Sequence, residues 1–316
     1  MEIFTQQYLP WIGFHVFLFT ALAVDLGVFH QKAHEIKFKE ALTWSGIWLS
    51  LALLFNAGIF YFKGPEPALA FLTGYLIEWS LSVDNLFVFL TIFSVFCVPP
   101  KQQHRVLFWG ILGALLMRAL FIFAGLALLK QFHWVVYIFG GFLLFTGIKL
   151  AIVEQKEEDP RNHWLVRLTR KWLPFTDSYH EGKFTIIEKG RRLGTPLLLV
   201  LVIVEATDLV FAADSIPAIL AITDDPFIVY TSNVFAILGL RSLYFALAGT
   251  MSLFKYLRYG LAGILVFVGA KLCLTDVYKI PIGASLGFIA VSLGTAIVFS
   301  ILAEKRDKVS YQEENS

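Results

Sequence analysis

The chain has 316 residues, 57% of them hydrophobic and 16% charged, with a formal net charge of +2. A soluble domain carries roughly 25% charged residues, so an ordinary soluble fold is excluded; the net charge says little by itself, and no nucleic-acid partner is expected. The two cysteines, Cys97 and Cys273, are far apart and form no CxxC, so neither a disulfide framework nor a thiolate metal site is expected.

Crossing a bilayer takes ~20 apolar residues. Nine stretches reach or approach that length: 9–29, 42–62, 68–96, 106–129, 134–153, 195–221, 229–252, 259–276 and 281–303. The first does not read as a cleavable signal, because it is long, contains Asp25 and follows Glu2 rather than a basic run. The expected fold is therefore all-α, a polytopic membrane protein of nine transmembrane helices. Two helices occupy 1–67, a three-helix unit 68–153 and a second 195–276, and the last helix and a tail 277–316. Between the units, residues 154–194 form a basic loop. Within it, Trp164, Leu165, Leu168 and Trp172 share one helical face over 162–173, with Arg161, Arg167, Arg170 and Lys171 mostly opposite. That pattern predicts a helix on the inner leaflet or a partner-binding segment.

Lysine and arginine divide unevenly between alternate connections. Residues 30–41, 97–105, 154–194, 253–258 and 304–316 hold nineteen; the opposite set holds only Lys63, Lys130 and Lys279. By the positive-inside rule, the N-terminus is expected outside and the C-terminus in the cytoplasm.

An internal repeat is legible. Residues 141–150 (GFLLFTGIKL) and 263–272 (GILVFVGAKL) agree at six of ten positions. Arg118 and Arg241 lie mid-span in spans 4 and 7, and Glu78-x5-Asp84-Asn85 in span 3 is matched by Asp208-x5-Asp214-Ser215 in span 6. A unit of three spans repeated directly must come out upside down. Spans 3–5 and 6–8 are thus expected to form an inverted repeat with a site near the midplane, as in many transporters.

Six acids (Asp25, Glu78, Asp84, Glu205, Asp208, Asp214) and four bases (Arg118, Lys149, Arg241, Lys271) fall within spans. At roughly 2.5–3.5 kcal/mol each on insertion scales, ten such charges need a structural or functional return. Glu205 and Asp208 are three apart and share a helix face. Glu78 and Asp84, like Asp208 and Asp214, are six apart, about 9 Å along the axis and about 120° around it. Either each helix breaks near its acids, for which Pro217 is a candidate cause, or the acids line successive stations of a path. Ser80, Ser82 and Thr207 are placed to satisfy backbone groups freed by a break. Internal pairing is the alternative use of the acids: Glu78 or Asp84 with Arg118, and Asp208 or Asp214 with Arg241. Lys149 and Lys271, toward span ends, could instead snorkel. Asp25 reads either as interfacial or as part of the path. Carboxylates, an amide and hydroxyls are hard oxygen ligands, suited to Mg, Ca or Mn. The lone His15 in span 1 reads as structural.

The two signatures EWSLSVDNLFVF at 78–89 and EATDLVFAADSIPAI at 205–219, with TSNVFAILGLRSLYF at 231–245, resemble the TerC family of bacterial membrane proteins, named for tellurium resistance, and within it the Alx-type branch. The resemblance runs over nearly the whole chain. It implies an inner-membrane protein of the LysE-like transporter superfamily, linked to manganese efflux. It also implies metal residues at Glu78, Asp84, Asn85, Glu205, Asp208, Asp214 and Ser215. One departure is Trp79, where many relatives carry Lys after the first Glu. The expected function is secondary transport, exporting Mn2+ against protons, since no nucleotide-binding motif appears. Its partners would be membrane lipids and the ion itself, with no catalytic cofactor. The rival is a non-transporting scaffold for a tellurite-resistance or envelope-stress complex, with loop 154–194 as its docking surface. A membrane enzyme acting on lipid is the weaker third reading, because no nucleophile–base pair accompanies the acids.

Overall fold

The computed structural model describes residues 2–30, 38–152, 174–176, 178–180, 182–188, 190–247 and 256–314. Side chains are described for these except 2–7, 25–30, 38, 84, 87, 241, 247 and 304–314. The helices are α1 (Glu2–His30), α2 (Phe38–Lys63), α3 (Pro65–Val95), α4 (Pro100–Gln131), α5 (Val135–Ile152), α6 (Pro196–Leu220), α7 (Pro226–Leu247), α8 (Leu257–Cys273) and α9 (Ile282–Glu314). Among the described residues six helices, α2 to α6 and α9, are long and apolar enough to cross a membrane. Shorter apolar stretches lie within α1 (Tyr8–Val24) and α7 (Pro226–Leu240). The basic segment expected as an interfacial helix, 162–173, lies outside the described residues.

Prolines set several helix starts. Pro65, Pro100, Pro196 and Pro226 open their helices, where a missing N–H and a fixed φ cost nothing. Asp225 caps α7, its Oδ1 accepting from the Phe227 N–H at 2.9 Å. Within α1, His15 Nδ1 lies 2.8 Å from the Trp11 carbonyl, a local bond in keeping with a structural role.

Two expectations need correction. α6 runs unbroken through Pro217, which falls in its last turn, and α3 is unbroken past Asp84. A proline so near a helix end disturbs few i→i−4 bonds, so no break forms beside the acids. The hydroxyls offered for a break find other partners. Thr207 donates to the Ile203 carbonyl at 2.7 Å, Ser80 to that of Leu76, and Ser82 to Glu78 Oε1 at 3.1 Å. Second, the connection before α6 holds an antiparallel hairpin, β1 (Thr185–Glu188) with β2 (Arg191–Gly194). Gly190 at φ 75° supplies its left-handed residue. The fold is mainly, not wholly, helical.

Residues 37–316 form one compact unit and residues 1–36 another. α3 packs on α7, α4 on α6, and α5 lies along α8, while α2 and α9 flank the group. The α5–α8 contact is made twice with roles exchanged. A Cβ on Gly147 would meet the Ala262 carbonyl at 2.9 Å, and one on Gly269 the Gly140 carbonyl at 2.8 Å. The two helices therefore run antiparallel, at a separation only glycine allows. The connections also gather in sets. Lys63 meets Asp225 at 2.9 Å and His133 meets Asp276 at 3.0 Å. Elsewhere the Tyr179 hydroxyl donates to the Phe96 carbonyl at 2.7 Å and that of Tyr244 to Gln103 Oε1 at 3.0 Å.

Candidate functional site

Three helices bring charge to one point. Glu78 on α3 is fully buried and Arg118 on α4 is 2% exposed. The Arg118 Nη1 donates to Glu78 Oε1 and to Ser215 Oγ of α6, the latter at 3.1 Å. Its Nη2 lies 3.4 Å from Asp208 Oδ1, also on α6. Asn233 on α7 completes the shell, donating Nδ2 to Glu78 Oε2 at 3.0 Å and accepting from Arg118 at 3.4 Å. One guanidinium thus holds the first acid of each repeated motif. In a medium without water, an arginine so placed must find carboxylates, and the fork of the guanidinium lets it reach two.

Some polar capacity at this point is unused. Asp208 Oδ2 and Arg118 Nε are buried without a hydrogen-bond partner. Glu205, one turn before Asp208, rests its carboxylate on bare α4 backbone. A Cβ on Gly113 would collide with the Glu205 carboxylate.

Asp214 goes elsewhere. It faces Thr146 and Lys149 of α5, because six residues on an unbroken helix rotate it about 120° away from Asp208. Asp214 therefore does not join Glu78 and Asp208 at Arg118. Among the described residues no group of three or more His, Cys, Asp or Glu stands close enough to hold a metal ion. Asn85 is buried on α3. Lys149 is exposed, whereas Lys271 is buried and does not snorkel. The side chains of Asp25, Asp84 and Arg241 lie outside the description. Asp208 pairs with Arg118, a partner the sequence had not suggested for it. Asn233 and Gly113 were not singled out as site residues. Asn233 does fall inside the motif quoted at 231–245, and an asparagine mid-helix in an apolar run was the available signal.

The model of the integral membrane protein TerC family matches residues 63–308. The chain belongs to the TerC family. It is 54% identical over 312 residues to an uncharacterised membrane protein of Myxococcus xanthus, covering 98% of each chain. Proteins named "Putative membrane-bound redox modulator Alx" are also similar. That of Salmonella typhi is 48% identical over 310 residues, covering 95% of this chain and 96% of its own. That of Escherichia coli K12 is 47% identical, covering 95% and 97%. No solved structure matches. This TerC-family chain is an integral membrane protein, and Glu78 and Asp208, one acid from each of its two motifs, lie at the meeting of α3, α4 and α6.

Proposed function

We propose that this protein is a secondary transporter, not an enzyme, that exports a hard divalent cation, Mn2+, in exchange for protons. The observation that carries the reading is the shared guanidinium: Arg118 bonds both Glu78 and Asp208, the matched acids of the two motifs. A positive charge held between two buried carboxylates marks a position where a cation is favoured, and the arginine occupies it in the ion-free state. Glu205, with the unpartnered Oδ2 of Asp208, supplies further oxygen for the ion once the guanidinium withdraws. Asn85, Ser215, Asp84 and Asp214 complete the ligand set along the path, with Arg241 and Lys149 as charge partners. Cys97 and Cys273 are both unpaired, so the chemistry is assigned to the acids.

The finer architecture belongs to the same proposal. Nine helices span a bacterial inner membrane, with the N-terminus outside and the C-terminus in the cytoplasm. The reciprocal Gly147–Ala262 and Gly269–Gly140 contacts support an inverted repeat, since residues 140, 147, 262 and 269 are equivalent in pairs. Two units related in this way can rock about a shared midplane site. The lysine and arginine bias supports the orientation. Carboxylates crowded around an empty site retain protons that a cation displaces, which couples the two fluxes.

The test is Mn2+ flux in proteoliposomes with an imposed proton gradient. Asp84→Asn and Asp214→Asn keep shape and an oxygen but remove charge. Flux should collapse in both while each protein still folds and inserts. Undiminished flux in both would overturn the reading.

A further inference from the structure

Lys271, in the last turn of α8, is 8% exposed, and its ammonium donates to Ser285 Oγ at 3.0 Å. Ser285 is itself fully buried and lies 3.4 Å from the Pro281 carbonyl. Among the described residues no carboxylate lies within salt-bridge distance of Lys271. The carbonyl end of α8 offers it only a partial negative charge. Among the described residues two of its three N–H donors have no partner, and a buried charge without a counter-charge is costly.

That ammonium lines a cavity of about 570 Å³, where the α2–α3, α6–α7 and α8–α9 connections meet. Glu66 and Lys279 also line it. Both are exposed and their charges oppose, so the buried Lys271 sets the sign of the interior. The rest of the wall is largely apolar, with Leu69, Ile222, Tyr278 and Ile282. The volume falls in the ~300–1,000 Å³ range of small-molecule sites, far more than a bare inorganic anion fills.

We propose that this cavity binds the acidic head of an anionic amphiphile, its phosphate or carboxylate paired with Lys271 and its apolar body laid on Leu69, Ile222 and Ile282. The site is separate from the acids around Arg118 and does not depend on what they carry.

The test uses the full chain in neutral detergent, depleted of lipid, with the thermal unfolding midpoint as readout. Phosphatidylglycerol, phosphatidylcholine and inorganic phosphate are added at matched ionic strength. Phosphatidylglycerol should raise the midpoint well above phosphatidylcholine, in wild type and Lys271→Arg alike, and Lys271→Met should lose that difference. Retention of phosphatidylglycerol over phosphatidylcholine in native mass spectrometry should follow the same order. If Lys271→Met does not fold, Leu69→Glu puts a repelling charge on the open wall and should abolish the difference. A difference that survives in whichever variant folds overturns the site. Inorganic phosphate alone producing the whole shift overturns the amphiphile and leaves a free anion as the occupant.

Discussion

Glu78 and Asp208, 130 positions apart in sequence, are held by one buried guanidinium, that of Arg118. Their helices are thereby tied at the depth where each repeated motif begins, and Arg118 is as much a packing element as an electrostatic one. Removing it should leave two buried carboxylates uncompensated. Arg118→Ala is expected to lower stability by about 3–5 kcal/mol, the usual cost of breaking a buried ion pair. Arg118→Lys should cost less but fail to reach both acids, having no planar fork. Denaturant unfolding in detergent measures both, and an Ala variant as stable as wild type would show that the pairs are not structural.

The α5–α8 contact predicts a matched pattern of tolerance. Gly147 and Gly269 face backbone atoms within 3 Å of a would-be Cβ, whereas Gly141 and Gly263 have nothing within 4 Å. Gly147→Ala and Gly269→Ala should each cost about 1–3 kcal/mol by overpacking, since the opposing carbonyl oxygens cannot move aside. Gly141→Ala and Gly263→Ala should be neutral or stabilise by up to about 1 kcal/mol through helix propensity. Thermal unfolding of the four variants checks this, and equal behaviour of the pairs would remove the argument from close approach.

Orientation can be read with thiol labelling. Cys97, exposed between α3 and α4, should react with an impermeant maleimide only after the cell membrane is opened. A cysteine placed at Asp225, which lies beside Lys63, should react in intact cells once Cys97 and Cys273 are replaced by serine. Reversed labelling would invert the proposed topology.

Proton coupling makes a pH prediction for the proposed cation site. If binding Mn2+ displaces protons from carboxylates, affinity must rise with pH, by about tenfold per pH unit for each proton released. The gain should fade once the acids are already ionised in the empty site. Calorimetry in buffers of different ionisation enthalpy counts the protons directly. Affinity independent of pH from 5 to 8 would uncouple the two ions.

A close-approach prediction concerns Glu205. Gly113→Ala would drive a methyl group into its carboxylate, and Mn2+ flux should drop several-fold with little loss of expression. Gly13→Ala, at a position with nothing within 4 Å, serves as the control and should leave flux unchanged.

The sequence by itself determined the membrane character, the helical segments and the sidedness proposed for their ends. Hydropathy over some twenty residues is a local property that the bilayer reads directly, and basic residues sort by the same local rule. It also determined that Arg118 would need acids, because no mid-span guanidinium is stable alone. What it could not determine was which acids. The matched spacing suggested that each arginine serves the acids of its own repeat, yet Arg118 takes one acid from each, with Ser215 and Asn233 beside them. That choice depends on how α4 is wedged between α3, α6 and α7, which no local pattern encodes. The same holds for Asp214, turned toward α5 once the helix proved unbroken, and for Lys271. Only the packing of α8 against α9 decided that its ammonium meets a serine and a cavity instead of a carboxylate.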